Sequence, residues 1–135
     1  LEELSDNDFT QSIENKLMGQ VNLVRCGIGQ VAEGGSFTLT SGGLSQNPAA
    51  ATTAVSMVGA AVEAFVKGAA IDLEGRYRVN VVSPGWVAES RIKVGLGPMP
   101  GIWGRDLAEY YIDLVEGLQT GQIVQAETAK PDCIS

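Results

Sequence analysis

The sequence predicts an α/β fold, in which helices cover both faces of a parallel sheet. Apolar residues spaced as in helices alternate along the chain with short apolar runs typical of strands, in the order αβαβαβ. Every connection between two of these strands contains a helix, which is the kind of connection that parallel strands need. The run from Tyr77 to Val82 carries no charge after Arg78, as expected of a strand with two buried faces.

The N-terminal part predicts a long helix from about residue 6 to 31. Ser5 and Asp8 form a variant of the capping box, and Asp8 also suits the positive end of a helix dipole. The run from Phe37 to Thr40 is rich in β-branched and aromatic residues and predicts a short buried strand. The helix prediction depends on apolar residues that recur at steps of three and four: Phe9, Ile13, Leu17, Val21, Val24 and Ile28.

A second long helix is predicted from Ala49 to Leu73, after a turn-rich loop from Gly42 to Pro48. Its many alanines and other small residues would allow another helix to approach closely. Two interpretations stay open, because this face either packs inside the protein or forms a surface for self-association. The apolar side of the helix carries Val55, Val58, Val62 and Phe65.

The remaining part of the chain predicts a loop, a third helix and a last strand. Ser83-Pro84-Gly85 ends the strand that begins at Tyr77, and the Gly- and Pro-rich segment 88–104 predicts a mobile loop with apolar anchors. The third helix is predicted from Arg105 to Gln119, and the last strand from Gln122 to Gln125. The helix is indicated by one apolar stripe: Leu107, Tyr110, Tyr111, Leu114 and Leu118.

Composition and charge limit the classes of function. A chain of 135 residues is enough for one domain with a real core. The formal net charge of −7, with scattered Lys and Arg, argues against nucleic acid and anionic lipid as partners. The sequence contains no histidine, which excludes Ser-His-Asp and Cys-His catalysis and most zinc or non-haem iron chemistry. No metal site is predicted.

The cysteines and the apolar stretches predict the cellular compartment of the protein. Cys26 and Cys133 stand far apart and outside any Cys-x-x-Cys motif, which suits a reducing compartment. The longest uncharged apolar stretch, Pro48 to Val62, is too short to span a bilayer. We therefore expect a cytoplasmic protein without a membrane-spanning segment.

Four segments of the chain form a pattern of motifs in a fixed order. They are Lys16-Leu-Met-Gly19, then Phe37-Thr-Leu-Thr-Ser41, then Val79-Asn-Val-Val-Ser-Pro-Gly85, and finally Asp106-Leu-Ala-Glu109 with Gln119-Thr-Gly-Gln-Ile-Val124. This pattern resembles the C-terminal half of the short-chain dehydrogenase/reductase family. In that family a helix with Asn-Leu-x-Gly precedes a strand ending in Ser-Ser. A Tyr-x-x-x-Lys helix then precedes a strand ending in Val-Asn-x-Val-x-Pro-Gly.

The resemblance covers residues 1–125 and leaves 126–135 as a tail. It implies a Rossmann-like fold, the C-terminal portion of a doubly wound parallel sheet with flanking helices. It also implies an oxidoreductase that uses NAD or NADP and acts on a small carbonyl or alcohol. The expected cofactor-binding residues are Ser41, Pro84, Gly85 and Val87, of which the last three match the family's loop that meets the nicotinamide. A simple strand-ending turn is the alternative for Pro84-Gly85.

The family's catalytic residues do not carry over to this chain. The tyrosine position falls on Val55, the lysine position on Gly59 and the serine position on Gly42, next to Ser41. In the family a phenol with a lowered pKa exchanges the proton while hydride moves, and neither valine nor glycine can do so. No catalytic residue is therefore assigned, and the active site is predicted to be degenerate. Lys16, at the family's asparagine position, is the only cation near the predicted site.

Three hypotheses about function stay open. The leading one is a divergent short-chain dehydrogenase/reductase-like protein, although no Gly-x-x-x-Gly-x-Gly turn for the dinucleotide phosphates opens the chain. The second is a non-catalytic binding module that forms a homodimer or tetramer through the two long helices at 6–31 and 49–73. The third is an enzyme that uses Lys16 as its proton donor. A small-molecule ligand is an expected partner, whereas nucleic acid and membrane are not.

Overall fold

The computed structural model describes residues 1–130, which contain a three-stranded sheet in the order β1-β2-β3. β1 is Ser36–Thr40, β2 is Arg78–Pro84 and β3 is Ile123–Ala126. Both pairings are parallel, so the predicted α/β class and the order αβαβαβ are confirmed. β3 reaches Ala126, one residue into the predicted tail. Positions 131–135 of that tail lie outside the described residues.

The N-terminal helix spans residues 6–27 in three consecutive segments. Asp6–Gln11 is α-helical, Ser12–Leu17 is π-helical and Met18–Gly27 is α-helical again. The predicted capping box is present, because the N–H of Asp8 donates to Ser5 Oγ and the N–H of Ser5 donates to Asp8 Oδ2 at 2.8 Å. The π-helical segment was not predicted.

The predicted end of this helix at residue 31 was wrong, because the helix ends at Gly27. Ile28 leaves the helical region with ψ 127°, and Gly29 follows with φ +83°, where side chains other than glycine's are strained. Gly27 also lets the first strand approach closely. A Cβ at this position would lie 2.5 Å from Cε1 of Phe37.

The central helix is Thr53–Asp72, shorter at its start than the predicted Ala49 to Leu73. Residues 49–52 form a turn instead, with Ala51 at φ +63°. One side of the helix packs onto β1, β2 and the N-terminal helix. The cluster formed there comprises Val24, Phe37, Leu39, Val62, Val66, Leu73, Val79 and Val81.

The opposite side of the central helix is apolar and exposed. Met57 and Ile71 on this side are 41% and 75% exposed, whereas Val55, 44% exposed, lies on the same side as the buried Val58 and Val62. By length and composition this is also the one helix within residues 1–130 that could cross a membrane, a test that core helices of other proteins pass as well. Its buried side belongs to the core of this protein, so the composition of the helix has a structural explanation.

A second helical layer covers the other face of the sheet. The short helix Ala88–Lys93 lies within the segment predicted to be a loop, and the last helix is Gly104–Glu116. The connection between the two helices packs next to the residues that follow β2, because Ala88 N–H donates to the Ile102 carbonyl at 2.8 Å. Leu118, expected on the apolar stripe, is 91% exposed because the helix ends two residues earlier. The cluster on this face comprises Val82, Ile102, Leu114 and Ala126.

Candidate functional site

A pocket of about 520 Å³ opens at the carboxyl ends of β1 and β2. This is the edge at which ligands bind in open α/β sheets. The loops that follow the two strands form one part of the wall, the central helix forms another, and the N-terminal helix contributes Lys16. All four predicted cofactor-binding residues line this pocket: Ser41, Pro84, Gly85 and Val87. Their binding of a cofactor stays a prediction.

The two positions at which the resemblance expects the family's tyrosine and lysine lie in the same wall. Val55 and Gly59, one turn apart on the central helix, both line the pocket. Gly59 is buried against the turn Gly43–Ser45, and a Cβ added to it would lie 3.3 Å from Cβ of Ser45. A longer side chain at this position would therefore require Ser45 to shift by a few tenths of an ångström.

The hydroxyl of Ser41 is directed at a buried carboxylate. Ser41 is 3% exposed, and its Oγ donates to Oε1 of Glu63 at 2.8 Å. Ser45 Oγ lies 2.5 Å from the same oxygen, and Gln46 Nε2 donates to Oε2 at 2.8 Å. The Ser41 hydroxyl proton is thus already engaged, so this side chain lines the pocket without a free donor.

Glu63 was not singled out from the sequence. It is 4% exposed in the middle of the central helix, directly after Val62, which faces the core. A charged residue on the buried side of an otherwise apolar helix was the available signal, because such a carboxylate needs polar partners. Glu63 fixes the loop after β1 and thereby shapes one wall of the pocket.

Lys16 lies in the π-helical segment and lines the pocket. Its Nζ donates to the carbonyl oxygen of Ser41 at 2.9 Å. Burial lowers the pKa of the Lys16 ammonium below its usual value, because a charged group loses hydration there. A Cβ added to Gly42 would lie 3.9 Å from Nζ, so the glycine leaves this side of the ammonium uncovered.

The loop after β2 brings backbone groups to the pocket. Gly85 N–H donates to the carbonyl of Ala126 at 3.2 Å, and the Val87 carbonyl accepts from Arg91 N–H at 3.0 Å. The N–H of Val87 has no acceptor within residues 1–130. Trp86, 54% exposed, forms the outer wall, with the Arg91 guanidinium 5.5 Å from its ring centroid.

The chemistry available at this pocket is narrow. Of the residues that line it, only Lys16 and Glu127 have ionisable side chains, and the use of Lys16 as a proton donor stays a prediction. Tyr77 packs edge-on against Phe37, and Tyr111 OH shares a hydrogen bond of 2.7 Å with Thr40 Oγ1. Neither tyrosine lines the pocket, and no group of metal ligands occurs within residues 1–130.

Comparisons with known proteins agree with this architecture. A family model described as enoyl-(acyl carrier protein) reductase matches residues 1–96. The crystal structure of the protein lin1944 from Listeria innocua superposes with a TM-score of 0.85 at 35% sequence identity, over 92% of this chain and 63% of that one. A comparison with curated proteins found no match.

Two further solved structures extend the comparison. A small-chain dehydrogenase in complex with NADPH matches at 26% identity and a TM-score of 0.81, over 94% of this chain and 65% of its own. A 3-hydroxyacyl-CoA dehydrogenase type-2 from Mycobacterium avium, at 21% identity and a TM-score of 0.75, shares the fold over 93% of this chain and 57% of its own. The chain thus spans less than two thirds of the length of each of these proteins. The family model and the sheet topology lead to one conclusion: the chain belongs to the short-chain dehydrogenase/reductase family.

Proposed function

We propose that this chain is the C-terminal half of a divergent NAD(P)-dependent oxidoreductase that acts on a small carbonyl or alcohol, without the family's Tyr-Lys pair. The observation that carries the proposal is the single pocket lined by Ser41, Pro84, Gly85 and Val87 at the carboxyl edge of the sheet. The small-chain dehydrogenase solved with NADPH supports the choice of cofactor. A cytoplasmic location is part of the same proposal.

The residues present fit the nicotinamide end of such a cofactor. Gly42 leaves a space beside Lys16 that a larger side chain would fill, and the Val87 N–H is available as a donor. The backbone from Pro84 to Val87 would hold the nicotinamide, whose chemistry when bound is to give or take a hydride. The 135-residue sequence offers no Gly-rich turn for the phosphates, so we expect weak binding of the whole dinucleotide by this chain.

The proton that accompanies hydride transfer has no family donor here. Val55 has no exchangeable proton, and Gly59 provides no charge to tune a neighbouring acid. General acid–base catalysis typically contributes about 10²–10⁴-fold to a rate. Turnover by the family mechanism should therefore stay near background even where binding occurs.

Binding of reduced nicotinamide mononucleotide tests the pocket assignment without the adenosine half of a cofactor. The probe should bind to the wild-type chain in saturation-transfer NMR, and Gly42→Val should abolish the signal because its methyls enter the pocket. Gly42 has φ 163°, an extended conformation that valine also adopts, so the backbone tolerates the change. Gly68→Val is the matched control, since a Cβ at this exposed position contacts nothing within 4 Å.

The two possible failures differ in meaning. Absence of probe binding to a folded wild-type chain would contradict the nicotinamide pocket. Binding that survives Gly42→Val would place the probe elsewhere on the molecule, which is equally incompatible with the proposal.

A non-catalytic module that self-associates is the second candidate function. The observation that favours it is the exposed apolar side of the central helix, with Met57 at 41% and Ile71 at 75% exposure. On the N-terminal helix, Leu23 is 59% exposed. Apolar side chains exposed on two helices that pack against each other are candidates for an interface. A homodimer or tetramer through these two helices would cover it.

Sedimentation velocity at micromolar concentration tests this candidate. We expect a dimer or tetramer, and Ile71→Asp with Leu23→Asp should dissociate it by placing charge in the interface. The control is Glu33→Lys, which changes the charge at an exposed position outside both helices. A stably folded wild-type monomer would exclude self-association at this concentration.

A further inference from the structure

The ammonium of Lys16 has no counter-charge in the described part of the chain. Its Nζ has three protons to donate, and the Ser41 carbonyl is the acceptor that the structure provides at 2.9 Å. No carboxylate within residues 1–130 lies within 4 Å of Nζ. A half-buried ammonium that keeps only one neutral acceptor is therefore left with an uncompensated charge.

The nearby carboxylates do not fill this role. Glu63 lies behind Ser41 and accepts from three neutral side chains. Glu127 lines the pocket beside Gly85, where its Cγ is 3.6 Å from the position of an added Cβ. Both acids face elements other than the π-helical segment that carries Lys16.

The rest of the wall is mostly apolar. Val55, Leu44, Trp86 and Val87 surround the opening, and the glycine at position 42 leaves Nζ uncovered on the pocket side. The volume of about 520 Å³ lies within the range of roughly 300–1,000 Å³ that is usual for small-molecule sites. A ligand that matches this surface has an apolar body and one negatively charged oxygen.

We propose that the pocket binds a small apolar anion, of the monocarboxylate class, whose oxygen accepts a hydrogen bond from Lys16 Nζ. An anion would provide the missing counter-charge, since charge-assisted hydrogen bonds are about twice as strong as neutral ones. Its apolar body would contact Val55 and Trp86. This inference names a ligand class for the pocket of the proposed function and rests on that function for the location only. It does not require a bound nucleotide.

Benzoate and its neutral analogue benzamide test the charge preference in the absence of nucleotide. The two probes have nearly the same shape, but benzamide carries no charge and has an NH2 donor in place of one carboxylate oxygen. Benzoate should bind the wild-type chain at least about tenfold more tightly than benzamide, as expected for one charge-assisted hydrogen bond. Lys16→Met should remove this difference, because it weakens benzoate binding far more than benzamide binding. Arg76→Met is the control for loss of one positive charge, because exposed Arg76 lies at the opposite edge of the sheet.

Equal binding of benzoate and benzamide to the wild type would overturn the inference, and this comparison needs no variant. Tighter benzoate binding that persists in Lys16→Met would overturn it as well. A preference for benzoate together with failure of the mononucleotide probe would keep the anion site and reject the nicotinamide pocket. The reverse pair of results would keep the nicotinamide pocket and reject the anion site.

Discussion

Lys16 Nζ donates to the carbonyl oxygen of Ser41 at 2.9 Å and so connects the N-terminal helix to the end of β1. In the family's pattern, the position of Lys16 is an asparagine, and the serine position is Gly42, next to Ser41. A lysine reaches the same strand end and adds a positive charge to the pocket. This contact is the basis of the electrostatic character that we assign to the site.

The Lys16 ammonium should titrate at a lower pH than exposed lysines do. Burial lowers its pKa below the usual 10.5. Reductive ¹³C-methylation followed by NMR titration would resolve the individual amines. A Lys16 signal that titrates at or above the usual 10.5 would contradict the buried environment.

The sign of the accompanying change in stability follows from linkage. Because the folded-state pKa of Lys16 is below the unfolded value, the unfolded chain binds more protons between the two values. The charged side chain thus disfavours folding at neutral pH, and this penalty disappears as the pH rises through the window that ends near 10.5. The wild type should gain stability relative to Lys16→Met across that window, measured by urea unfolding at several pH values.

Loss of the Glu63 carboxylate should destabilise the loop after β1. Glu63→Ala leaves the donors of Ser41, Ser45 and Gln46 without their shared acceptor. An unsatisfied buried donor costs about 1–3 kcal/mol, so a reduction of roughly 2–4 kcal/mol in the free energy of unfolding is expected. Glu33→Ala, at an exposed position, should change it by no more than about 0.5 kcal/mol. Equal effects of the two substitutions would mean that the network is not stabilising.

Two glycines of the central helix should respond differently to alanine. Gly68→Ala meets no atom within 4 Å and should stabilise the protein by about 0.5–1 kcal/mol through helix propensity. Gly59→Ala brings a Cβ to 3.3 Å from Ser45, whose hydroxyl is held by Glu63, so this gain should be absent or reversed. Thermal unfolding of both variants gives the comparison. A similar stabilisation by both would show that the Gly43–Ser45 turn yields easily.

Asn80 should contribute to the stability of the fold. It is fully buried in β2, its Nδ2 donates to the Gln119 carbonyl at 2.8 Å, and its Oδ1 accepts from Gln122 N–H at 3.0 Å. Asn80→Leu should therefore lower the free energy of unfolding by roughly 2–4 kcal/mol, since two backbone groups lose their partners. Exposed Asn22→Leu is the matched control. A small effect at Asn80 would indicate that water replaces both contacts.

Much of the fold was predictable because it depends on local patterns. The uncharged run in β2 and the helix-spaced residues before and after it specify parallel strands with helical crossovers. The helix ends were less predictable. Residues 28–31 and 49–52 have apolar or alanine-rich sequences compatible with a helix, yet Gly29 and Ala51 adopt positive φ. Gly29 was itself a local signal, because glycine commonly follows the C-terminus of a helix. The alanines at 49–51 favour a helix that the structure does not form there.

The site was predictable only in part. Motif order brings Ser41 together with Pro84, Gly85 and Val87, because the carboxyl ends of neighbouring parallel strands meet at one edge. The engagement of the Ser41 hydroxyl with Glu63 depends instead on which side of the central helix is buried. The π-helical segment that carries Lys16 likewise has no distinct sequence signal.

The most direct measurement of the central claim is the rate of NADPH-dependent carbonyl reduction over a panel of small ketones and aldehydes. It should be made for this chain and for any longer protein that contains it. We predict turnover near background for the natural sequence. Val55 cannot donate a proton, and Gly59 provides no positive charge to lower the pKa of a donor. Val55→Tyr with Gly59→Lys should turn over faster, since a general acid contributes about 10²–10⁴-fold. Ordinary enzyme rates of about 1 per second or more for the natural sequence would contradict the assignment of a degenerate site.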